Sequence, residues 1–371
     1  MERNKMETNN KSNNALKKFF LFLSSFLLIA GCCAGGLITR LYFIHGGKRI
    51  WLSSWLQTIG CPIIFVPLSL SYMNRRKTQG SKNTKLVLIK SYLFVCASLI
   101  GVVFGAIDYL YGYGSSRLPV STASLIYGCQ LAFTSVFAFI LVKQKFTSYS
   151  VNTVVLLTLG AVVLTFNVST DRPKGESEKE YIKGFMMMGL AAVVNGLVIP
   201  LMELAYVKAN QTVTFTLVME FDLVMCLFAT CLSTIGMLVN NDFEAIGREA
   251  REYELGQVIY YTVLASDAIV WQCCLLGLNG VIFCASSLFS GILIAITIPI
   301  SEVLAVIFFH ENFQAQKGIS LALSIWGFVS YFYGEITNRN KLINQPLQVE
   351  TAQVGKFDKS LEKEQTLPIH H

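Results

Sequence analysis

Six carboxyl side chains stand inside long apolar stretches of this 371-residue sequence. A charged side chain is costly to hold in an apolar environment, so each such group is a candidate for proton transfer or for binding a polar ligand. The chemistry requires a carboxyl that can gain and lose a proton, or accept a hydrogen bond, away from bulk water. The six groups are Asp108, Glu203, Glu220, Asp222, Asp267 and Glu302.

Glu203 and Glu302 have the sequence surroundings that best suit these roles. Glu302 lies deep in its apolar stretch, just after Pro299, and we expect it to carry a coupled proton. A protonated carboxyl that joins two helices is the alternative. Glu203 lies two helical turns beyond Asn195, and Pro200 between them frees a backbone carbonyl, which favours a cavity wall where Glu203 binds ligand or proton. An interfacial carboxyl is the alternative for Glu203.

The other four acids carry no assigned role at this stage. Asp108 and Asp267 stand near the predicted ends of their segments and are interpreted as solvated or helix-end carboxyls. Glu220 and Asp222 point to different faces of the same predicted helix, so they are not expected to act together.

Amide and aromatic side chains also interrupt the apolar stretches. An amide offers one donor and one acceptor on the same edge, which matches the edge of a purine, and aromatic rings stack on such bases. The alternative for each amide is a hydrogen bond between helices, and for Trp55 an anchor at the membrane interface. The predicted ligand contacts are Trp55, Gln57, Tyr127, Gln130, Asn195, Trp271 and Gln272, together with Glu203.

The composition predicts an all-α polytopic membrane protein that positions these groups on its helices. Hydrophobic residues make up 53% of the chain and charged residues only 14%, whereas soluble domains carry about 25% charged residues. The net charge of +7 is therefore ascribed to membrane topology and not to nucleic acid. Ten apolar segments are predicted at 19–40, 50–72, 86–108, 118–142, 149–168, 183–206, 214–239, 256–274, 279–308 and 316–335.

No motif of soluble catalysis is present. The sequence has no G-x-x-x-x-G-K-S/T loop, no H-E-x-x-H and no G-x-S-x-G, and its four histidines form no cluster with cysteine at metal-binding spacing. The chain is therefore predicted not to be an enzyme and to need no cofactor or metal. Transport driven directly by ATP is also disfavoured.

The distribution of basic residues predicts the orientation in the bilayer. With a cytosolic N-terminus, the cytosolic segments hold the majority of the 30 lysines and arginines. This favours ten spans with both tails, 1–18 and 336–371, in the cytosol. Span lengths of about 20 to 24 residues suit a plasma membrane, with the vacuolar membrane as the alternative.

A weak internal repeat predicts two inverted halves. Ala138 and Gly160 recur at one constant spacing as Ala305 and Gly327. Five predicted spans separate the copies, an odd number, so the halves, 19–168 and 183–335, must have opposite orientations in the membrane. Two inverted five-helix repeats are an architecture of secondary transporters, which bind substrate near the midplane between the repeats.

Several sequence runs resemble the plant purine permease family of the drug/metabolite transporter superfamily. They are RLYFIHGGKRIWLSSWLQTIGCP, LPVSTASLIYGCQLAFTSVFAFILVKQKFT, PLMELAYVKANQTVTFTLVMEFD, VWQCCLLGLNGVIFCASSLFSGILIAITIPISEVLAVIFFHENF and WGFVSYFYGE. The resemblance implies ten helices in two inverted halves. It also implies proton-coupled import of adenine, cytokinins and related heterocycles by alternating access.

Two departures from the family pattern bear on the substrate. Asp222 stands where the family usually has glutamine, and Asp267 lies where a hydrophobic residue is usual. Two added acids beside a cavity would favour a cationic ligand, such as an alkaloid, or a ligand such as vitamin B6. A non-transporting membrane receptor or scaffold is the more distant alternative.

Overall fold

The fold is all-helical across the part of the chain that the computed structural model describes. The described residues are 2–79, 85–118, 123, 126–165, 177–309 and, further on, 315, 318–319, 322–323, 325–334 and 336–337. The helices are α1 (Glu2–Ile44), α2 (Ile50–Ile59), α3 (Phe65–Gln79), α4 (Ser91–Arg117), α5 (Gln130–Phe137), α6 (Ser148–Thr165), α7 (Glu178–Val207), α8 (Phe215–Val239), α9 (Asp242–Glu252), α10 (Gln257–Cys284) and α11 (Ser287–Phe309).

Six of the helical segments are long and apolar enough to cross a membrane, and three further apolar helices are shorter. The all-α, multi-span nature of the chain is thereby confirmed. These nine coincide with nine of the ten predicted apolar segments. The tenth, 316–335, is described only in part and is helical over 325–334. The six long segments are Leu16–Ile44, Ile50–Lys77, Ser91–Arg117, Glu178–Val207, Phe215–Val239 and Gln257–Cys284.

The second apolar segment is broken at Pro62. Proline lacks a backbone N–H and clashes with the preceding turn, so a continuous α-helix does not pass through it. A 3₁₀ turn, Cys61–Ile64, therefore separates α2 from α3. The break ends α2 at Ile59, so Gln57 lies in the last turn of this helix.

The predicted boundary between the eighth and ninth segments is wrong. The hydropathy pattern ends one segment at 274 and starts the next at 279, whereas α10 continues to Cys284 and α11 begins at Ser287. Asn279 and Gly280 resemble a turn in sequence, yet both are buried inside the helix. The Asn279 amide donates to Asp222 at 2.8 Å, and the missing side chain of Gly280 lets Ser24 of α1 approach.

One amphipathic helix, α9, is absent from the sequence prediction. It is mostly polar and lies between two spans, so a search for apolar runs overlooks it. Its buried acids hold the α1–α2 connection: Arg49 donates to Asp242 at 3.3 Å, and the Tyr42 hydroxyl donates to Glu249 at 2.6 Å. The helix thus covers one end of the bundle.

The bundle is built from close pairs of long helices. α1 packs along α10, and α4 packs between α7 and α8, while α5 contacts both α7 and α11. Glycines lie where backbones come closest, as is usual for helices in lipid. Gly101 of α4 faces the carbonyl of Met225 in α8, and Gly196 of α7 faces the Phe133 side chain in α5.

Replacing Gly101 with valine should destabilise the protein by about 2 kcal/mol, because overpacking a close helix contact forces backbone shifts. A Cβ at this position would overlap the Met225 carbonyl oxygen and lie 3.0 Å from the Phe228 Cβ. Thermal melting of the detergent-purified protein measures the loss. Gly247→Ala on α9 is the control, since a Cβ there meets no atom within 4 Å. Equal melting temperatures for wild type and Gly101→Val would contradict the prediction.

Candidate binding cavity

A cavity of about 330 Å³ opens between the long helices. Its walls come from α1, α2, α4, α7, α10 and α11 and from the residues that precede α5. Ligand pockets in proteins have volumes of about 300 to 1,000 Å³, so this one suits a small molecule. Its polar and aromatic lining includes Thr39, Arg40, Phe43, Gln57, Phe104, Asp108, Tyr111, Ser115, Ser116, Tyr127, Asn195, Trp271, Thr297 and Ser301.

Three aromatic rings form one wall of the cavity. Tyr111 meets Tyr127 edge-on, with ring centroids 5.1 Å apart, and meets Trp271 edge-on at 6.2 Å. The Trp271 indole N–H donates to the Thr39 hydroxyl at 3.2 Å, and Thr39 in turn donates to Asp267 at 3.0 Å. This chain of hydrogen bonds fixes the plane of the indole ring. The wall therefore presents aromatic surface in a defined orientation.

Two amides supply the polar edge of the cavity. The Asn195 Nδ2 donates to the Tyr127 hydroxyl at 2.6 Å, while the Asn195 Oδ1 is buried and has no hydrogen-bond partner among the described residues. The Gln57 Nε2 makes a long bond of 3.4 Å to the Ser53 carbonyl. A buried polar atom without a partner is unusual and costs free energy, so it favours a ligand that completes the bond. Four of the predicted ligand contacts thus meet at one cavity: Gln57, Tyr127, Asn195 and Trp271.

Trp55 and Gln130 do not line this cavity. Trp55 donates to the Thr234 hydroxyl at 3.0 Å and meets the Phe243 ring edge-on at 6.1 Å, so it packs under α9. Gln130 is buried in the first turn of α5, and in the part of the chain that the structure describes neither of its amide atoms has a hydrogen-bond partner.

Glu203 and Gln272 also lie away from the cavity, with partners inside the protein. The Glu203 carboxylate accepts the backbone N–H of Ser287 at 2.6 Å, at the N-terminus of α11. That contact satisfies a helix-terminal N–H and suits a negative charge. Gln272 donates to Asp222 at 3.2 Å. The side chain of Glu302 lies outside the described part of the chain, so its proton-coupling role stays a prediction.

The interpretation of Asp108 and Asp267 as solvated or helix-end carboxyls is wrong. Both are buried, with 4% and 3% of their surface exposed. Asp108 lines the cavity from the interior of α4, and Asp267 supports Thr39 behind it. The spacing of Asp108, Tyr111 and Ser115 could have revealed that Asp108 faces the cavity, since residues three and four apart share one face of a helix.

The acids that depart from the family pattern do not face the cavity. Asp222 is fully buried and accepts from the Gln272 and Asn279 amides. Asp267 accepts from Thr39. Neither carboxyl is directed at a ligand, so these two residues do not favour a cationic one.

Comparisons with known proteins agree on one family. A family described as purine nucleobase transmembrane transport matches residues 19–341. Purine permease 3 of Arabidopsis thaliana is 50% identical over 339 residues, covering 91% of this chain and 97% of the relative. Purine permease 2 of the same plant is 46% identical over 354 residues, covering 92% of this chain and 99% of the relative.

A solved crystal structure shares the fold at low sequence identity. It aligns with a TM-score of 0.58 and 14% identity, over 84% of this chain and 97% of the other. The apolar helices and the relatives agree on a multi-pass membrane protein, and the family is one of membrane transporters and not of enzymes. The chain belongs to the purine permease family of membrane transporters.

Proposed function

We propose that the protein imports purine bases and purine-like heterocycles, such as adenine and cytokinins, coupled to protons by alternating access. The observation that carries this is the cavity, where an aromatic wall and two amides meet in one small-molecule space. Stacking and amide pairing are the two means by which proteins bind bases. The proposed location is the plasma membrane, with the vacuolar membrane as the alternative and both termini in the cytosol.

We assign ligand contacts according to position in the cavity. Trp271 and Tyr127 stack on the ring, and Gln57 and Asn195 pair with its edge. The other predicted contacts, Trp55, Gln130, Glu203 and Gln272, lie outside this cavity and would reach a ligand only in another conformation.

Helix packing supports the proposal of two inverted five-helix repeats, 19–168 and 183–335. If the halves correspond in order, α1 corresponds to α7, α4 to α10 and α5 to α11. The contact of α1 with α10 then has its counterpart in that of α7 with α4, and both pairs pack. The contact of α5 with α7 likewise has its counterpart in that of α11 with α1. Such a two-fold arrangement suits alternating access around a central site.

Uptake of labelled adenine and trans-zeatin by a yeast strain that lacks purine uptake tests the proposal. We expect saturable uptake that increases at acidic external pH and falls to background with a protonophore, because the proton gradient supplies the driving force. Uptake that does not depend on the proton gradient would refute coupling to protons. If the Glu302→Gln variant transports with an unchanged pH dependence, Glu302 does not carry the coupled proton.

A cationic ligand, such as an alkaloid, is a second candidate because the Asp108 carboxyl lines the cavity. Vitamin B6 belongs to the same class of alternatives. Competition of each compound against labelled adenine separates the candidates. If adenine does not compete with a transported alkaloid, the result favours the cationic ligand. If the purified protein moves no solute into liposomes, the result favours a receptor or scaffold.

A further inference from the structure

The carboxyl of Asp108 has one buried oxygen without a hydrogen-bond partner among the described residues. It lies in α4 on the face of Tyr111 and Ser115, and all three line the cavity. Its side chain is buried, and its Oδ2 atom has no hydrogen-bond partner among the described residues. A buried carboxyl oxygen without a donor is costly unless the group is neutral or a ligand supplies the donor.

Other buried carboxyls of the bundle have donors from the protein. Asp222 accepts from two amides, at 2.8 and 3.2 Å. Asp267 accepts from the Thr39 hydroxyl at 3.0 Å. Glu220 accepts from the backbone N–H groups of Leu88 and Ile89, both at 2.8 Å. Asp108 is therefore the described buried acid that faces the cavity with an oxygen left over.

No described lysine forms an ion pair with this carboxyl in the conformation at hand. The helix α2, which packs against α4, has no titratable side chain. The titratable groups that line the cavity with it are Cys32, Arg40, Tyr111, Tyr127 and Cys274. Those on α7 and α8, which pack against α4, are Glu178, Lys179, Glu180, Tyr181, Lys183, Glu203, Tyr206, Glu220, Asp222, Cys226 and Cys231. Among the described residues, the ion pairs and hydrogen bonds of Tyr127, Glu180, Asp222 and Cys226 go to partners other than Asp108.

A protonated carboxyl has the hydrogen-bonding edge of an amide. Its O–H donates and its C=O accepts, side by side. Amides with that edge pair with adenine through one ring nitrogen and the exocyclic amine. We propose that Asp108 carries the coupled proton and in its protonated form pairs with this edge of the purine, an inference that rests on the proposed import function.

Proton and ligand then travel together. The carboxylate takes a proton from the side of entry, and the resulting O–H donates to a ring nitrogen of the incoming base. On the far side the proton leaves to water, and the carboxylate, now without its donor, repels the ring lone pair and releases the base. The empty carrier then returns with an ionised carboxylate, which takes up the next proton on the side of entry.

Three proteins reconstituted in liposomes test the proposal: wild type, Asp108→Asn and Asp108→Ala. Asparagine keeps the paired donor and acceptor but cannot release a proton. We expect Asp108→Asn to bind adenine within about threefold of wild type and to exchange labelled for unlabelled adenine. Its affinity should not change between about pH 5 and pH 8, and its accumulation driven by an acid gradient should be lost. Asp108→Ala should weaken binding about tenfold or more.

Glu244→Gln is the matched control, because it removes the same charge at an exposed position on α9. Gradient-driven accumulation by Asp108→Asn at the wild-type level overturns the proposal. Loss of binding in Asp108→Asn as severe as in Asp108→Ala also overturns it, since the ionised form would then be the binding form.

Wild-type protein alone gives a second measurement, which does not depend on folding of the variants. Its affinity for adenine should fall as the pH rises, because the protonated form binds. An affinity that is constant or rises with pH refutes the role of Asp108. Wild-type protein that binds or moves no purine refutes the proposed import function instead, so the two failures are distinguishable.

Discussion

Replacing Trp271 with alanine should weaken adenine binding by about tenfold to a hundredfold and reduce uptake in proportion. Stacking of a base on an aromatic side chain contributes about 1 to 3 kcal/mol. Trp271 lines the cavity, and its ring plane is fixed by the bond from its N–H to the Thr39 hydroxyl. Competition binding and initial uptake rates measure the effect on the purified and the cellular protein.

Variants around Trp271 separate stacking from ring orientation. Trp271→Phe keeps an aromatic ring but loses the N–H, so we expect a smaller loss, of about threefold to tenfold. Thr39→Val leaves the indole N–H without its acceptor and frees the ring to tilt, which should raise KM more than it lowers the maximal rate. Trp326→Ala is the control, since that ring is 68% exposed.

The comparison of two tryptophans tests the choice of cavity. Trp55 and Trp271 look alike in sequence, because each lies in an apolar segment and is followed within two residues by a glutamine. Their surroundings differ: Trp55 donates to Thr234 below α9, and Trp271 faces the cavity. If Trp55→Ala impairs binding as much as Trp271→Ala does, the ligand lies elsewhere in the bundle.

Hydropathy predicts the helices well because each span must satisfy its backbone internally and show apolar side chains to lipid. It cannot predict the rotation of a helix about its axis. Gln57, Tyr127, Asn195 and Trp271 were identifiable as polar or aromatic groups in apolar helices, and they do line one cavity. Gln272 belongs to the same chemical class, yet it turns away toward Asp222.

The carboxyl residues show the same limit of prediction from sequence. Glu203 and Asp108 are both carboxyls inside apolar helices, and sequence context favours Glu203 because a proline and an asparagine precede it. In three dimensions Glu203 meets the first N–H of α11, whereas Asp108 meets the cavity. Contacts between helices far apart in sequence decide these roles, and one sequence does not contain them.

Replacing Asp222 with alanine should destabilise the folded protein by about 3 kcal/mol, because two buried amides would lose their acceptor. Asp222 is fully buried in α8 and joins α8 to α10 through Gln272 and Asn279. The Asn279 Oδ1 in turn accepts from the Tyr206 hydroxyl of α7 at 2.8 Å, so one carboxyl organises three helices. The melting temperature in detergent should fall by about 5 °C or more.

Asp222→Asn is the informative companion variant. Asparagine keeps one oxygen for the Asn279 amide and presents an NH₂ group toward Gln272. The Gln272 Oε1 has no hydrogen-bond partner within the described ranges, so after rotation of that amide by half a turn the Oε1 would accept from the new donor. We therefore expect Asp222→Asn to cost at most about 1 kcal/mol and to keep adenine affinity, since Asp222 lies outside the cavity. Loss of binding with an unchanged melting temperature would instead place Asp222 at the ligand, and the cavity assignment would then be wrong.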